Sequence, residues 1–200
     1  MILRALDLLG ASAGLAVGWP LLLASSVISA VGVGFPPWYA SRRVGQGGRE
    51  YLHVKIKTMR PGRSVGRVFF EQHRINTVGR MLRRYHLDEL PELVHILRGQ
   101  MSLVGPRPLP RELLAGLDTT VRESVRPGWT GPAQLHLLRH GKLDKHTQLA
   151  LDNAYVAERC LALNLRILAQ TLAAALYAKP LDLRPDATAA RRRFGEGNQK

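Results

Sequence analysis

The 200-residue chain holds a single cysteine, Cys160. That excludes an intramolecular disulfide and any metal site built on cysteine ligands. Between Arg159 and Leu161, the thiol reads as a small packing residue. Aromatics are scarce too, at 6% of residues. A binder of nucleic-acid bases needs such rings interleaved with its cations. Tyr39, Tyr51, Phe69, Phe70 and Tyr85 lie in or beside the most basic segment but form no such motif. Acids are few: 15 Asp and Glu against 29 Lys and Arg, a formal net charge of +14. So large an excess calls for an anionic partner. With nucleic acid disfavoured, an anionic membrane surface or phosphorylated substrates remain. No internal repeat is visible.

Charge is missing altogether from residues 8 to 41. Residues 42 to 84, by contrast, carry twelve Lys and Arg and only two acids, Glu50 and Glu71. The uncharged run is long enough to cross a bilayer. A secretory signal fits it poorly, because the run is long and phosphate-handling sequence follows. Two readings stay open: a simple spanning helix, or a helix that enters and leaves on one face. Gly18, Trp19 and Pro20 sit near its middle, and proline removes a backbone donor and kinks a helix. Leu8 to Trp19 covers about 18 Å, short of a hydrocarbon core of about 30 Å. Arg4 precedes the run and Arg42 and Arg43 follow it, so the positive-inside bias favours both ends on the cytoplasmic side.

Beyond Gly34-Phe35-Pro36-Pro37 the spacing predicts a loop and a Gly-rich turn, then a short strand over 51–57. Residues 60–67 read as a basic loop. A basic amphipathic helix is expected over 74–85, carrying Ile75, Val78, Met81, Leu82 and Tyr85. A second helix should run from Asp88 to Arg98, with Gly99 ending it. Residues 104–110 and 126–132 read as Pro/Gly loops. One long helix is expected over 146–178, then a polar tail.

The chemistry gathers at Asp88-Glu89-Leu90-Pro91-Glu92. Proline is tolerated only in the first turn of a helix, which puts Asp88 and Glu89 at a helix start. Acids there are ordinary caps. The same helix end also receives phosphates. An ionised carboxylate beside a phosphate is equipped to form an acyl-phosphate, and an adjacent acid to hold Mg²⁺ against diphosphate oxygens. Arg83 and Arg84 lie just before the pair. Arg107 and Arg126 stand in rigid Pro/Gly loops suited to bidentate phosphate binding. His86 precedes the pair. His136 and His140 are one helical turn apart but have no evident third metal ligand.

These residues resemble a family. The order Arg43-Val44-Gly45, Lys55-Ile56-Lys57-Thr58-Met59, Arg83, and Leu87-Asp88-Glu89-Leu90-Pro91-Glu92-Leu93 is similar to the bacterial sugar transferases, the monotopic polyprenyl-phosphate phosphoglycosyl transferases. The similarity continues through Leu97-Arg98-Gly99-Gln100-Met101-Ser102-Leu103-Val104-Gly105-Pro106-Arg107-Pro108 and Arg126-Pro127-Gly128-Trp129-Thr130-Gly131. It extends into the helix bearing Asp152, Tyr155 and Ile167. Three positions depart from the usual pattern. Trp19-Pro20 replaces Ser-Pro, Val54-Lys55-Ile56-Lys57 replaces Tyr-Lys-Phe-Arg, and Asn164 replaces Asp.

The resemblance implies an α+β, mostly helical fold. A re-entrant membrane helix (1–37) would precede a small cytosolic catalytic domain (38–178) with amphipathic membrane-surface helices, and a polar tail (179–200) would follow. The family's chemistry is a two-step transfer of sugar-1-phosphate from a UDP-sugar to polyprenyl phosphate at the cytoplasmic face of the inner membrane, an early step of polysaccharide assembly. By position, Asp88 would be the nucleophile and Glu89 its partner near Mg²⁺. Arg83, Arg107 and Arg126 would bind phosphate, and Lys55 or Lys57 would lie near the metal and diphosphate. No additional membrane helix precedes the apolar run, the expectation for a minimal member. The rival expectations are a membrane-tethered basic binding protein and a non-catalytic scaffold of the same fold.

Overall fold

The computed structural model describes residues 2–60 and 74–177. The expected loop over 60–67 therefore lies almost wholly outside the described residues, as does the polar tail 179–200. The fold is α+β, with 61% of the described residues helical. Helix α1 (Ile2–Gly32) contains Pro20. Its buried positions Asp7, Ala11, Gly18, Ser25, Ser26 and Ser29 form one helical stripe of small and polar residues. Its outward positions are large and apolar: Leu9, Val17, Trp19, Leu21, Leu23, Val27 and Val31 are all more than half exposed. This polarity is inverted relative to a water-soluble helix, and a lipid-facing helix has this distribution. The small stripe permits close approach: a Cβ at Gly10 would come within 2.7 Å of Leu103 Cδ1.

Strand β1 (Trp38–Val44) turns through Gly47 and Gly48, both at positive φ, into antiparallel β2 (Glu50–Ile56). Strand β2 was expected; β1 was expected to be loop. Trp-Tyr-Ala-Ser-Arg-Arg-Val does not alternate in polarity, and pairing with β2 makes it a strand. Helix α2 (Thr77–Arg84) begins three residues later than expected, because the Asn76 side chain accepts from Gly79 N and caps it there. Its Leu82 is fully buried.

The single helix expected from Asp88 to Arg98 is two pieces. Leu87–Glu89 form one 3₁₀ turn, and α3 (Glu92–Leu97) starts after Pro91. The acid pair thus lies one turn ahead of the α-helix rather than in its first turn. The first expected Pro/Gly loop follows strand β3 (Ser102–Val104), but within the second, expected over 126–132, Gly128–Thr130 form strand β4, which pairs with β3 in parallel. Short helices α4 (Arg111–Leu114) and α5 (Thr120–Glu123) connect them. Helix α6 (Pro132–His140) starts on Pro132 and ends at left-handed Gly141. The long C-terminal helix is broken into α7 (Lys145–Glu158) and α8 (Leu161–Tyr177). Cys160 sits exposed in the corner between them, not packed, and its Sγ accepts from Leu163 N. Across the corner, Tyr155 OH donates to Asn164 Oδ1 (2.9 Å). An amide accepts that bond as a carboxylate would, without burying a charge.

The core joins Leu93 and Ile96 of α3, Met101, Leu103 and Val104, Leu135, Tyr155, Ile167 and Ala11 of α1. Helix α1 is therefore part of the fold rather than a detached anchor.

Candidate active site

Both ends of α1 are fastened to the same body. At the start, Arg4 donates to the Ile96 and Leu97 carbonyls. Asp7, 2% exposed, accepts from Ser102 Oγ and Leu103 N at 2.8 Å. At the finish, Ser29 Oγ donates to Lys57 O (2.6 Å) and Asn76 Nδ2 to Gly32 O. Between these ends Leu90 and Leu93 pack on Gly18 and Gly14. The 3₁₀ turn of the acid pair is thus held against α1.

Asp88 and Glu89 follow His86, a non-glycine residue in the left-handed region (φ 52°, ψ 23°). That conformation costs about 1–2 kcal/mol and is what turns the chain sharply from α2 into the acid turn. Glu89 Oε1 lies 2.8 Å from Lys55 Nζ, and Lys55 Nζ lies 2.8 Å from Glu92 Oε1. Glu92 Oε1 is also 3.2 Å from His53 Nε2. These approaches to Glu92 are close, but that oxygen has no well-aligned hydrogen bond. His86 Nδ1 stands 3.6 Å from Glu89 Oε2. The result is a row, Asp88–Glu89–Lys55–Glu92–His53, running from the turn across β2.

The electrostatics separate the two adjacent acids. Burial, and then the Glu89 charge, push the Asp88 carboxyl up to about 6, against the pull of Lys55 and Arg83. Burial would raise Glu89 as well, but Lys55 and His86 outweigh it and hold that carboxyl well below the usual range. Lys55 is likewise desolvated, yet Glu89 and Glu92 keep it charged and above its ordinary value. Among the described residues Asp88 has no ion pair within 4 Å. Glu89 is therefore a fixed, neutralised anion, and Asp88 is a nearly buried carboxylate of raised basicity with no ion-pair partner among the described residues. Such a group is suited to nucleophilic attack.

Behind the row, His95 is locked. Its Nε2 accepts from Val54 N (3.0 Å) and its Nδ1 faces Gln100 Oε1 (2.6 Å). Burial lowers its basicity. It is a neutral pin between α3 and β2, stacked on His53.

The expected phosphate binders divide. Arg83 borders the acid pair: its Nε donates to Thr58 Oγ1 (2.8 Å), burial lowers its pKa, and Asp88 and Glu89 oppose that. Arg107 sits in a loop bolted by Gly105 N to Thr130 O, Gly128 N to Pro106 O, Arg122 Nη2 to Arg107 O and Val44 N to Leu109 O. A Cβ at Gly128 would collide with Gly105 N. Arg126 is elsewhere: its Nε donates to Gly99 O (2.8 Å), past the far end of α3. Lys55 belongs to the row, whereas Lys57 Nζ reaches Gly34 O (3.3 Å) at the end of α1.

Two contributors had no role in the sequence reading, Glu92 and Arg122. Arg122 and Asp152 form a buried ion pair at 3.1 Å, 4% and 0% exposed. Burial still lifts Asp152 to about 6, outweighing Arg122. The pair holds the backbone of Arg107. No local sequence signal marks it, because its halves are 30 residues apart.

No group of three or more His, Cys, Asp or Glu side chains placed to hold an ion occurs among the described residues. Two neighbouring carboxylates, one engaged by lysine, are not a closed cage. They fit an ion that keeps several waters and shares oxygens with a substrate, as Mg²⁺ does.

An N-terminal helix long and apolar enough to cross a membrane is docked on a small α+β body whose nearly buried Asp88 lies beside Lys55 and Arg83. The chain belongs to the bacterial sugar transferase family, which it matches over residues 1–178. It is 31% identical over 199 residues to the exopolysaccharide production protein ExoY of Rhizobium meliloti (strain 1021), covering 90% of this chain and 87% of that one. It is 33% identical over 173 residues to a UDP-glucose:undecaprenyl-phosphate glucose-1-phosphate transferase of Xanthomonas campestris pv. campestris, covering 80% and 36%. A UDP-N-acetylgalactosamine-undecaprenyl-phosphate N-acetylgalactosaminephosphotransferase of Aeromonas hydrophila is 31% identical over 180 residues, covering 86% and 43%. The chain thus spans less than half the length of the last two.

Proposed function

We propose that this protein transfers a sugar-1-phosphate from a UDP-sugar to polyprenyl phosphate, with Asp88 as the nucleophile. The observation that carries the reading is the pairing of a buried, unpaired Asp88 with a Glu89 neutralised by Lys55. In the first step an Asp88 oxygen attacks the sugar-linked phosphorus. The bond from that phosphorus to the bridging oxygen breaks, and UMP leaves with the electron pair. In the second step a phosphate oxygen of the lipid attacks the same phosphorus and frees the Asp88 carboxylate. Two steps let one small site serve a water-soluble donor and a lipid acceptor in turn. Arg83 and Lys55 screen the approach of an anion to an anion. Asp88 and Glu89 would hold Mg²⁺, which when bound offsets diphosphate charge.

The same reading gives α1 as a re-entrant helix, with the chain at the cytoplasmic face of the inner membrane. Support comes from the fastening of Arg4, Asp7, Ser29 and Gly32 to one body. A helix whose two ends emerged on opposite sides of a bilayer would carry one of those contacts away. Past Pro20, Ser25 and Ser26 return their hydroxyls to Leu21 and Leu22 carbonyls, a pattern that bends helices.

UMP release from a panel including UDP-glucose and UDP-N-acetylgalactosamine, with polyprenyl phosphate present, tests the reaction. Release from at least one donor, dependent on Asp88, is expected. No release from any donor by folded, membrane-inserted protein contradicts it.

A further inference from the structure

Lys55 has two carboxylates within reach and holds them unequally. Its Nζ donates an aligned hydrogen bond to Glu89 Oε1 (2.8 Å). Glu92 Oε1 is equally near at 2.8 Å, yet it receives no well-aligned bond from Lys55 or any other described donor. The two acids also differ in depth: the Glu89 side chain is 30% exposed and that of Glu92 only 3%. A buried acceptor left without its bond is costly, and its presence calls for an explanation.

The surroundings of Glu92 are rigid. It opens α3, and His53 Nε2 faces its Oε1 at 3.2 Å. The buried His53 ring has the Tyr51 hydroxyl 3.3 Å from Nδ1 and stacks on His95, which is itself bonded to Val54 N and Gln100. Lys55, by contrast, ends a flexible stem with three donors and is 28% exposed. The lysine is therefore the movable member of the row. Burial works against its charge, and Glu89 and Glu92 together keep it charged. It needs a carboxylate at every stage.

The proposed reaction asks Glu89 to serve a divalent cation as well. That ion and the Lys55 ammonium on one carboxylate repel each other. The lysine must give up Glu89 when the ion arrives, and a half-buried ammonium with no other partner would resist. We propose that Glu92 is a positioning residue that receives Lys55 when a divalent cation takes Glu89. The movement is short, because Nζ already stands 2.8 Å from both acceptors. Only hydrogen bonds change, and no proton is transferred. Glu92 acts through Lys55 and touches neither the donor nor the ion. The exchange rests on the reading of Glu89 as a magnesium ligand, and its test needs no turnover.

The experiment is calorimetric binding of Mg²⁺ alone to the full chain in nanodiscs of zwitterionic lipid. Glu92→Gln keeps the shape and removes the charge. It should weaken Mg²⁺ by about fivefold or more, because Lys55 then has only Glu89. The same substitution in a Lys55→Met background should change Mg²⁺ binding less than twofold, since no lysine is left to relocate. Glu112→Gln, which removes an exposed acid on α4, is the control for a lost charge and should also change binding less than twofold. A second measurement does not depend on the folding of Lys55→Met. Mg²⁺ should slow the labelling of Lys55 by an amine reagent in wild type, as the lysine withdraws to Glu92. In Glu92→Gln it should speed that labelling, because the displaced lysine has no second carboxylate. Mg²⁺ binding by Glu92→Gln equal to wild type overturns the exchange. So does an equal loss with and without Lys55, which would make Glu92 only a distant charge, or a labelling change of the same direction in both proteins. Wild-type protein that binds no Mg²⁺ overturns it outright. Binding that follows the expected pattern, with no UMP released from any donor, leaves the exchange standing and defeats the transfer reaction instead.

Discussion

At the scale of single residues, the adjacent carboxylates have opposite surroundings. Glu89 has a lysine at 2.8 Å, and Asp88 has burial and the Glu89 charge. Attack requires the ionised form of Asp88, so the first half-reaction should lose rate as pH falls through about 6. A rate profile of UMP release between pH 5 and 8 checks this, and a flat profile would contradict it. The same shift has a stability sign. The folded pKa is raised, so ionised Asp88 opposes folding above about pH 6, and the penalty disappears below its unfolded value. Asp88→Asn should therefore raise stability at pH 7.5 by up to about 3 kcal/mol and have little effect near pH 4. Thermal melts at the two pH values distinguish this from a general packing effect. Lys55→Met should do the reverse. It leaves Glu89 and buried Glu92 without their cation, costing about 3 kcal/mol or more of stability together with activity.

At the scale of elements, what holds the site was less legible than the site itself. Strand β2 could be read from the alternation in Tyr51–Lys57, and a turn-to-helix start around Pro91 from Asp88-Glu89-Leu90-Pro91. Strand β1 could not, because Arg42 and Arg43 break its polarity pattern and only pairing with β2 defines it. The corner at Arg159-Cys160 has no glycine or proline, and its bond between Tyr155 and Asn164 is tertiary. The 3₁₀ turn at Leu87–Glu89 depends on His86 adopting a left-handed conformation, which no local residue preference announces. The Arg122–Asp152 pair is likewise a long-range fact. Removing one partner, as in Arg122→Ala, should cost about 3–5 kcal/mol by leaving a buried charge alone. An apolar double replacement, Arg122→Met with Asp152→Leu, should recover most of that stability. It should not recover activity, because the hydrogen bond to Arg107 O is gone. Chemical denaturation combined with UMP-release rates separates the two effects.

At the scale of the molecule, the α+β body and the apolar helix α1 share one core through Ala11 and the α1 stripe. Single cysteines introduced near residues 2 and 40, in a Cys160→Ser background, should label from the same side of sealed vesicles. Labelling from opposite sides would break the re-entrant reading and would also require the contacts of Arg4 or Ser29 to be absent in the membrane. The central claim is narrower than topology: Asp88 carries the phosphosugar between donor and lipid. Intact mass spectrometry after incubation with an accepted UDP-sugar and no lipid acceptor tests it most directly. The account predicts a mass increase equal to one sugar phosphate, mapped to Asp88, absent in Asp88→Asn and discharged by polyprenyl phosphate. An adduct on another residue, or turnover by Asp88→Asn at a rate near wild type, would contradict it.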